Sequence, residues 1–200
     1  MQDMPQVSPK QRLLDAADLL MYQRGFEAVG VADLCSTADV RKGSFYHFFE
    51  SKQQLAIDML DQSWERTKTT LFASSVTDQS LSALDALDTY GRLLAENLER
   101  VSPGDDAVLG CRFGNFAVEL SARDQIVRDK VAAIFAEMSH LIAETIERGV
   151  ERGELHSGID PNEAATDLVA HMEGLMVLAK ARRDPSLLLR LGPTARRLLT

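Results

Sequence analysis

Apolar residues recur every three or four positions over most of the chain, as in amphipathic helices, and no segment shows a convincing two-residue strand period. A first helix is predicted to begin after Ser8, which can cap it, with Pro9 at its first position and Gly25 at its end. The pattern therefore predicts an all-α fold. The apolar positions of this first helix form one stripe: Leu13, Leu14, Ala16, Ala17, Leu20 and Met21.

Two short helical segments follow at residues 31–38 and 42–49, and about three residues join them, which are the dimensions of a helix-turn-helix. A longer helix is predicted to begin after Ser51, because Ser51 and Gln54 can form a capping box. We expect a helix-turn-helix DNA-binding domain over residues 1–52 and an effector-binding and dimerisation domain over residues 53–200. Loops are predicted at residues 74–80 and 101–106, and further helices at about 81–99, 107–120, 124–152, 161–182 and 185–199.

The sequence VRKGSFYHFFESK, residues 40–52, concentrates cations, a glycine and four aromatic rings. Phe45, Phe48 and Phe49 are spaced i, i+3 and i+4, so they can form an apolar face that anchors the segment. Short or polar residues elsewhere in the segment would allow close approach to phosphates and base edges, and the charge of Lys52 would complete an anion site. The alternative is that the cations only form a solvated face. The predicted DNA-contacting residues are Arg41, Lys42, Gly43, Ser44, Tyr46, His47 and Lys52.

The formal net charge of −8 argues against nonspecific coating of nucleic acid. Residues 1–52 hold six Lys/Arg and seven Asp/Glu, whereas residues 53–200 hold sixteen and twenty-three, so the acidity lies almost wholly in the second part. The first part can still present a local basic face.

Charges interrupt every hydrophobic stretch, and the N-terminus lacks both a basic start and an apolar core, so we expect neither a membrane span nor a secretory signal. A cytoplasmic location is therefore predicted. Cys35 and Cys111 are too few and too far apart for a disulfide framework or a zinc site, and no metal or other cofactor is predicted. Cys35 is expected in the core of the helix-turn-helix.

Residues 16–55 strongly resemble the DNA-binding domain of TetR/AcrR-type transcriptional repressors. The resemblance rests on the pair GF, the helix VADL, the segment KGSFYHFF and the following SK, which occur in this order. It implies an all-helical homodimer whose subunits each have a three-helix DNA-binding head and a helical effector domain. Two positions depart from the family pattern, since Gly30 replaces a common Ser or Thr cap and Arg41 replaces a small polar residue.

The helices at 161–182 and 185–199 are the predicted dimerisation elements, and the family resemblance favours a helical dimer here. The stretch AATDLVAHMEGLMVLAKA is apolar around much of its circumference, and its glycine permits a close helix crossing. The alternative is an ordinary buried helix of a monomer. The predicted interface residues are Leu168, His171, Gly174, Leu175, Leu178, Leu188 and Leu191.

The stretch GCRFGNFAVEL, residues 110–120, is the most informative segment for the effector. Together with the helix after it, this stretch weakly resembles a TetR subgroup that includes electrophile- and acrylate-responsive repressors, in some of which a cysteine in this region is the sensor. Cys111 matches that position. A thiol reacts as thiolate, which a nearby cation favours, and Arg112 or Arg123 would serve. The alternative is that Cys111 is a small buried apolar residue.

Apolar side chains between the long helices are expected to line an effector cavity with a few polar groups. The predicted pocket or sensor residues are Cys111, Trp64, Tyr90, Phe113, Asn115, Phe116, Met138, Met172 and Met176.

The function predicted from these features is a ligand-responsive DNA-binding regulator. We expect a repressor that a small molecule, or modification of Cys111, releases from a palindromic operator. The alternative from another class is a small helical carrier or enzyme without DNA binding, although no GxSxG, HExxH, P-loop or dinucleotide fingerprint is present. Activation instead of repression would use the same residues.

Overall fold

The computed structural model describes residues 7–102 and 107–200, and within these ranges every regular element is helical, which confirms the all-α class. Residues 1–6 of the predicted head and residues 103–106 of the predicted loop lie outside the described residues. The elements are α1 (Pro9–Arg24), α2 (Val31–Thr37), α3 (Lys42–Phe48), α4 (Lys52–Thr67), a π-helical turn (Lys68–Phe72), α5 (Ala83–Val101), α6 (Arg112–Leu120), α7 (Gln125–Glu151), α8 (Pro161–Arg182), a 3-10 turn (Pro185–Arg190) and α9 (Leu191–Leu199).

Local capping explains where several helices begin and end. The Ser8 hydroxyl accepts the Gln11 amide at 3.2 Å at the start of α1, and Gly25 ends that helix with a positive φ of 86°. Asp160 caps α8 by accepting two backbone amides of its first turn. Serine and aspartate stabilise helix starts in this way because the first N–H groups have no partner within the helix.

Two predicted helix starts differ from the structure. The helix expected from residue 107 begins at Arg112, because Gly110 adopts a positive φ of 75° that a helix cannot accommodate. The last helix expected from residue 185 begins as a 3-10 turn, and regular α-helix starts only at Leu191.

The chain divides into two compact units, of which the first contains Met1–Glu65 and Asn115–Lys130. All six residues predicted for the buried stripe of α1 are buried in it. Phe45 and Phe49 attach α3 to this core, with exposed fractions of 0% and 1% and ring centroids 5.9 Å apart. Burial of each phenylalanine side chain stabilises the fold by roughly 2–3 kcal/mol. Helix α3 is thus held by its aromatic residues.

The end of α6 and the start of α7 pack in the same first unit. The rings of Phe116 and Phe26 meet edge to face at 6.2 Å, and the ammonium of Lys130 pairs with the Asp61 carboxylate at 2.7 Å. The first unit therefore contains the predicted head together with most of α4 and a segment from much later in the chain. A functional boundary at residue 52 stays a prediction.

The second unit contains Arg66–Gly114 and Val131–Thr200, so α5, α8 and α9 all belong to it. Glycines allow α5 to approach the C-terminal elements closely. A Cβ on Gly91 would lie 2.7 Å from the carbonyl oxygen of Leu188, and one on Gly192 would lie 2.8 Å from the Cα of Asp88. These glycines therefore set the distance between α5 and the last helix.

Candidate functional site

Helix α3 presents most of the predicted DNA-contacting residues to solvent. Arg41, Lys42, Tyr46 and His47 are exposed, whereas Phe45 is fully buried on the other side of the same short helix. Gly43 is exposed as well, and apart from its chain neighbours and the backbone of its own helix, no described atom lies within 4 Å of the position that its Cβ would occupy. Ser44 and Phe48 are half-buried. The arrangement leaves polar and cationic groups facing outward on a firmly anchored helix, and their contact with DNA stays a prediction.

Lys52 has a second role that the sequence did not indicate. Its ammonium donates hydrogen bonds to the carbonyl oxygens of Phe26 and Val29 at 2.9 and 3.0 Å and lies 4.0 Å from the centre of the Phe26 ring. Lys52 therefore fastens the connection between α1 and α2. Two of its three N–H donors are used in this way, so its predicted contribution to an anion site rests on the third.

The connection between α1 and α2 has another partner, Glu119 of α6. The two carboxylate oxygens of Glu119 accept the backbone amides of Phe26 and Glu27 at 2.9 and 2.8 Å. We call this pair of hydrogen bonds the Glu119 clamp. No local pattern in the sequence signals this contact, since 93 positions separate Phe26 from Glu119.

In the second unit, Cys111, Glu173 and Tyr90 form a group that we call the Cys111 cluster. The side chain of Cys111, immediately before α6, and the carboxyl group of Glu173 on α8 both lie against Gly114. The sulfur of Cys111 also accepts the backbone amide of Gly114 at 3.3 Å. Tyr90 of α5 is fully buried, and its hydroxyl lies near enough to Cys111 and Glu173 for a negative charge on either group to raise its pKa. Cys111 and Tyr90 were predicted from the sequence as effector-site residues, whereas Glu173 was not.

Burial and negative charge dominate the electrostatics of the Cys111 cluster. Cys111 is half-buried as a residue, but loss of solvent around its sulfur raises the pKa of the thiol well above its usual value, and the Glu173 charge raises it further. Burial likewise raises the pKa of the Glu173 carboxyl and of the Tyr90 hydroxyl. The charged group that acts on the thiol is thus the acid Glu173, and the resting form of Cys111 is the neutral thiol. A contribution from Arg112 or Arg123 stays a prediction.

The other predicted effector residues divide between the two units. Phe113, Met138, Met172 and Met176 are buried in the second unit with Tyr90. The remaining three, Trp64, Asn115 and Phe116, belong to the first unit. A single cavity lined by the whole set stays a prediction.

The predicted dimer residues also differ from one another in exposure. Four leucines, Leu168, Leu175, Leu188 and Leu191, are buried within the protomer itself, and His171 is half-buried. Gly174 and Leu178 of α8 are exposed. Val177, next to Leu178, is 63% exposed although it is apolar, and Leu189 and Leu198 are about half exposed. These exposed positions, rather than the buried leucines, are available to a second copy of the chain.

Within residues 7–102 and 107–200, no group of three or more His, Cys, Asp and Glu side chains could hold a metal ion. No helix in the same ranges is long and apolar enough to cross a membrane.

A helix-turn-helix head with an outward polar face on α3, followed by a larger helical unit, defines a DNA-binding transcriptional regulator. The family comparisons agree: residues 13–59 match the model described as bacterial regulatory proteins, tetR family, and residues 92–192 match that of the tetracyclin repressor-like C-terminal domain. The chain belongs to the TetR family of transcriptional regulators. The resemblance seen in the sequence and the predicted function, a ligand-responsive DNA-binding regulator, are thereby confirmed.

Individual relatives extend the similarity over nearly the whole chain. The HTH-type transcriptional repressor DhaR of Mycobacterium sp. (strain GP1) is 29% identical over 175 residues, which are 88% of this chain and 84% of DhaR. The crystal structure of a regulatory protein TetR from Rhodobacter sphaeroides superimposes with a TM-score of 0.84 at 26% identity, covering 95% of this chain and 98% of that one. The reduced form of Escherichia coli NemR gives a TM-score of 0.81 at 26% identity, with coverage of 96% and 98%. These relatives are transcriptional regulators, and members of the family bind operator DNA and small-molecule effectors as dimers.

Proposed function

We propose that this protein is a cytoplasmic homodimeric repressor that binds a near-palindromic double-stranded operator through α3 and leaves it when a small molecule acts at the Cys111 cluster. The observation that carries the proposal is the orientation of α3. Phe45 of α3 and Phe49, which directly follows the helix, are buried, while Arg41, Lys42 and Tyr46 face solvent. No enzymatic activity is part of the proposal.

The exposed face of α3 has the chemistry that a DNA duplex requires. Arg41 and Lys42 supply charge for phosphates, and the Tyr46 side chain, 55% exposed, supplies a hydroxyl for phosphate and a ring for a thymine methyl. The open side of Gly43 lets the helix backbone approach the groove. We therefore assign to α3 the role of the recognition helix.

One head covers a short site, and a two-fold dimer reads two half-sites separated by about one helical turn or a multiple of it. The exposed apolar positions of α8 support such a dimer. Gly174 has no described atom within 4 Å of an added Cβ, and Val177 and Leu178 follow on the same side of the helix. A second copy that packed on this face would bury these side chains.

The effector can act at the Cys111 cluster by binding alone or by covalent addition. In the covalent route the thiol adds to an activated alkene, so that an S–C bond forms, the C=C π bond breaks and the thiol proton ends on the adjacent carbon. Either event would favour a conformation with lower operator affinity, provided that the ligand prefers that conformation. Burial of the thiol favours binding alone for weak electrophiles.

Fluorescence anisotropy on duplex DNA from upstream of the protein's own gene tests the assignment of α3. Tyr46→Ala should weaken binding by about tenfold or more, since a good base or phosphate contact contributes about 1–3 kcal/mol. Gln23→Ala, at an exposed position of α1, is the matched control and should bind as the wild type does. Unchanged affinity in both Tyr46→Ala and Lys42→Ala would contradict the proposal.

The same assay separates the two effector routes. Acrylamide and N-ethylmaleimide are added to the wild type and to Cys111→Ser bound to operator. Release of the wild type alone supports covalent sensing, whereas release of both proteins assigns the effect to binding or to another residue. Retention of both complexes would remove Cys111 from effector sensing.

A further inference from the structure

We propose that the negative charge of Glu173 keeps the Cys111 thiol protonated and repels electrophiles that carry a negative charge. We call this role of Glu173 the charge gate. The inference deepens the proposed function, because it rests on Cys111 belonging to the effector site. It names both the residue that controls the thiol and the class of electrophile that can reach it.

Glu173 and Cys111 lie side by side. The carboxyl group of Glu173 and the side chain of Cys111 both border Gly114, and the negative charge of Glu173 acts on the thiol. A Cβ on Gly114 would collide with Oε2 of Glu173 and would lie 3.3 Å from the Cβ of Cys111. The glycine therefore leaves the space in which the carboxyl group reaches the thiol.

Glu173 forms no ion pair with a cation among the residues that the structure describes. Its Oε1 atom is buried and has no hydrogen-bond partner among the residues that the structure describes. Tyr90 faces the pair from α5, and the side-chain carbons of Lys180 of α8 pack at 3.3 Å from the Cβ position of Gly110, next to Cys111 in the chain. A carboxylate without an ion-pair partner that lies close to a thiol opposes the formation of a second negative charge on sulfur.

This arrangement predicts selectivity among electrophiles. The nucleophile in thiol addition is the thiolate, so the gate slows every reaction by lowering the thiolate fraction. An anionic electrophile such as acrylate would also bring its own charge next to Glu173 in a desolvated place. A neutral amide such as acrylamide avoids that repulsion and can donate its N–H to the unpartnered Oε1. Neutral unsaturated amides are therefore the favoured class.

The proposal is tested with Cys111 as the single thiol, in Cys35→Ser protein, since the chain has two cysteines. Ultraviolet absorbance of the thiolate is followed against pH in this protein, in Glu173→Gln and in the control Glu163→Gln, an exposed glutamate of the same helix. The titration midpoint should fall by at least about one pH unit in Glu173→Gln and stay unchanged in the control. An equal or higher midpoint in Glu173→Gln would overturn the gate.

Selectivity is measured as the ratio of modification rates with acrylamide and acrylate, divided by the same ratio for a small free thiol. In Cys35→Ser protein that retains Glu173, the ratio should exceed that of the free thiol by about tenfold or more, and adding Glu173→Gln should remove most of the difference. A ratio in this Cys35→Ser protein equal to that of the free thiol would refute the exclusion of anions. Circular dichroism checks folding, and Glu173→Met replaces Glu173→Gln should the latter not fold. The ratio in Cys35→Ser protein needs no variant at position 173.

The thiol titration and the modification rates are measured without operator DNA. They therefore test the charge gate separately from the proposed role of Cys111 in operator release. A shifted titration midpoint without release by either reagent would keep the gate and remove Cys111 from sensing. Release without a shifted midpoint would keep covalent sensing and discard the gate.

Discussion

Replacement of Glu119 by alanine should loosen the backbone between α1 and α2. The Glu119 clamp accepts the amides of Phe26 and Glu27 at 2.9 and 2.8 Å, directly after the point where Gly25 ends α1. These amides lie beyond the last hydrogen-bonded turn of α1, so the carboxylate is the partner that they lose. Water can replace the Glu119 carboxylate more easily at the exposed amide of Glu27 than at the amide of Phe26, a residue that is only 8% exposed.

The size of the effect follows from the two bonds. A hydrogen bond to a charged group contributes about 1.5–3 kcal/mol, and the exposed one belongs at or below the lower end of that range. We therefore expect Glu119→Ala to lower the free energy of unfolding by about 3 kcal/mol. For a chain of this size that corresponds to a fall in melting temperature of about 6–12 °C.

Two measurements check this prediction. Thermal unfolding by circular dichroism gives the change in melting temperature, with Glu147→Ala, at an exposed position of α7, as the matched control. Amide hydrogen exchange tests the Glu119 clamp directly. The amides of Phe26 and Glu27 should lose protection from exchange in Glu119→Ala and keep it in the control. Wild-type protection at both amides in Glu119→Ala would refute the reasoning, whatever the melting temperature.

Three further substitutions test other contacts. Gly91→Ala places a Cβ 2.7 Å from the Leu188 carbonyl oxygen and should reduce the free energy of urea unfolding by about 1–3 kcal/mol, whereas Gly43→Ala, with open space around it, should not reduce stability. Leu178→Glu puts a charge on the exposed apolar face of α8 and should give a monomer in analytical ultracentrifugation; a persistent dimer would place the interface elsewhere. Burial, and then two neighbouring arginines, lower the pKa of His171, so the folded state favours its neutral form and the unfolded state binds more protons. Stability should therefore fall as pH decreases below the ordinary value of 6.5, and His171→Gln should flatten that dependence in unfolding measured from pH 7.5 to pH 5.5; an unaltered slope would contradict it.

The sequence predicted correctly those parts of the fold that depend on the spacing and type of nearby residues. The buried stripe of α1 follows from residue spacing, its start follows from the Ser8 cap, and the burial of Phe45 follows from its place among aromatic residues. These features depend on neighbours within a few positions. The helix-turn-helix could therefore be predicted from the sequence alone.

The contacts that sequence reasoning missed join residues far apart in the chain. Glu119 and Glu173 each sit in a helical segment where a polar residue is ordinarily solvated, and nothing nearby shows that one accepts backbone amides and the other contacts a thiol. Helix α6 begins later than predicted because Gly110 has a positive φ. Gly110 lies beside Lys180 and Met176, which are far from it in the chain. Tertiary packing decided all three, so periodicity did not reveal them.

The hydrogen bonds of Lys52 also bear on how operator binding should respond to ionic strength. Each phosphate that a protein cation neutralises releases condensed counter-ions, which contributes about −0.9 to the slope of log affinity against log salt concentration. Because the Lys52 ammonium already holds two carbonyl oxygens of its own head, we expect Arg41 and Lys42 to carry most of this contribution from residues 40–52. A slope of about −1.8 per head would then come from this segment, instead of about −2.7 with Lys52 included. Operator binding should therefore withstand rising salt better than the number of cations in the recognition segment suggests.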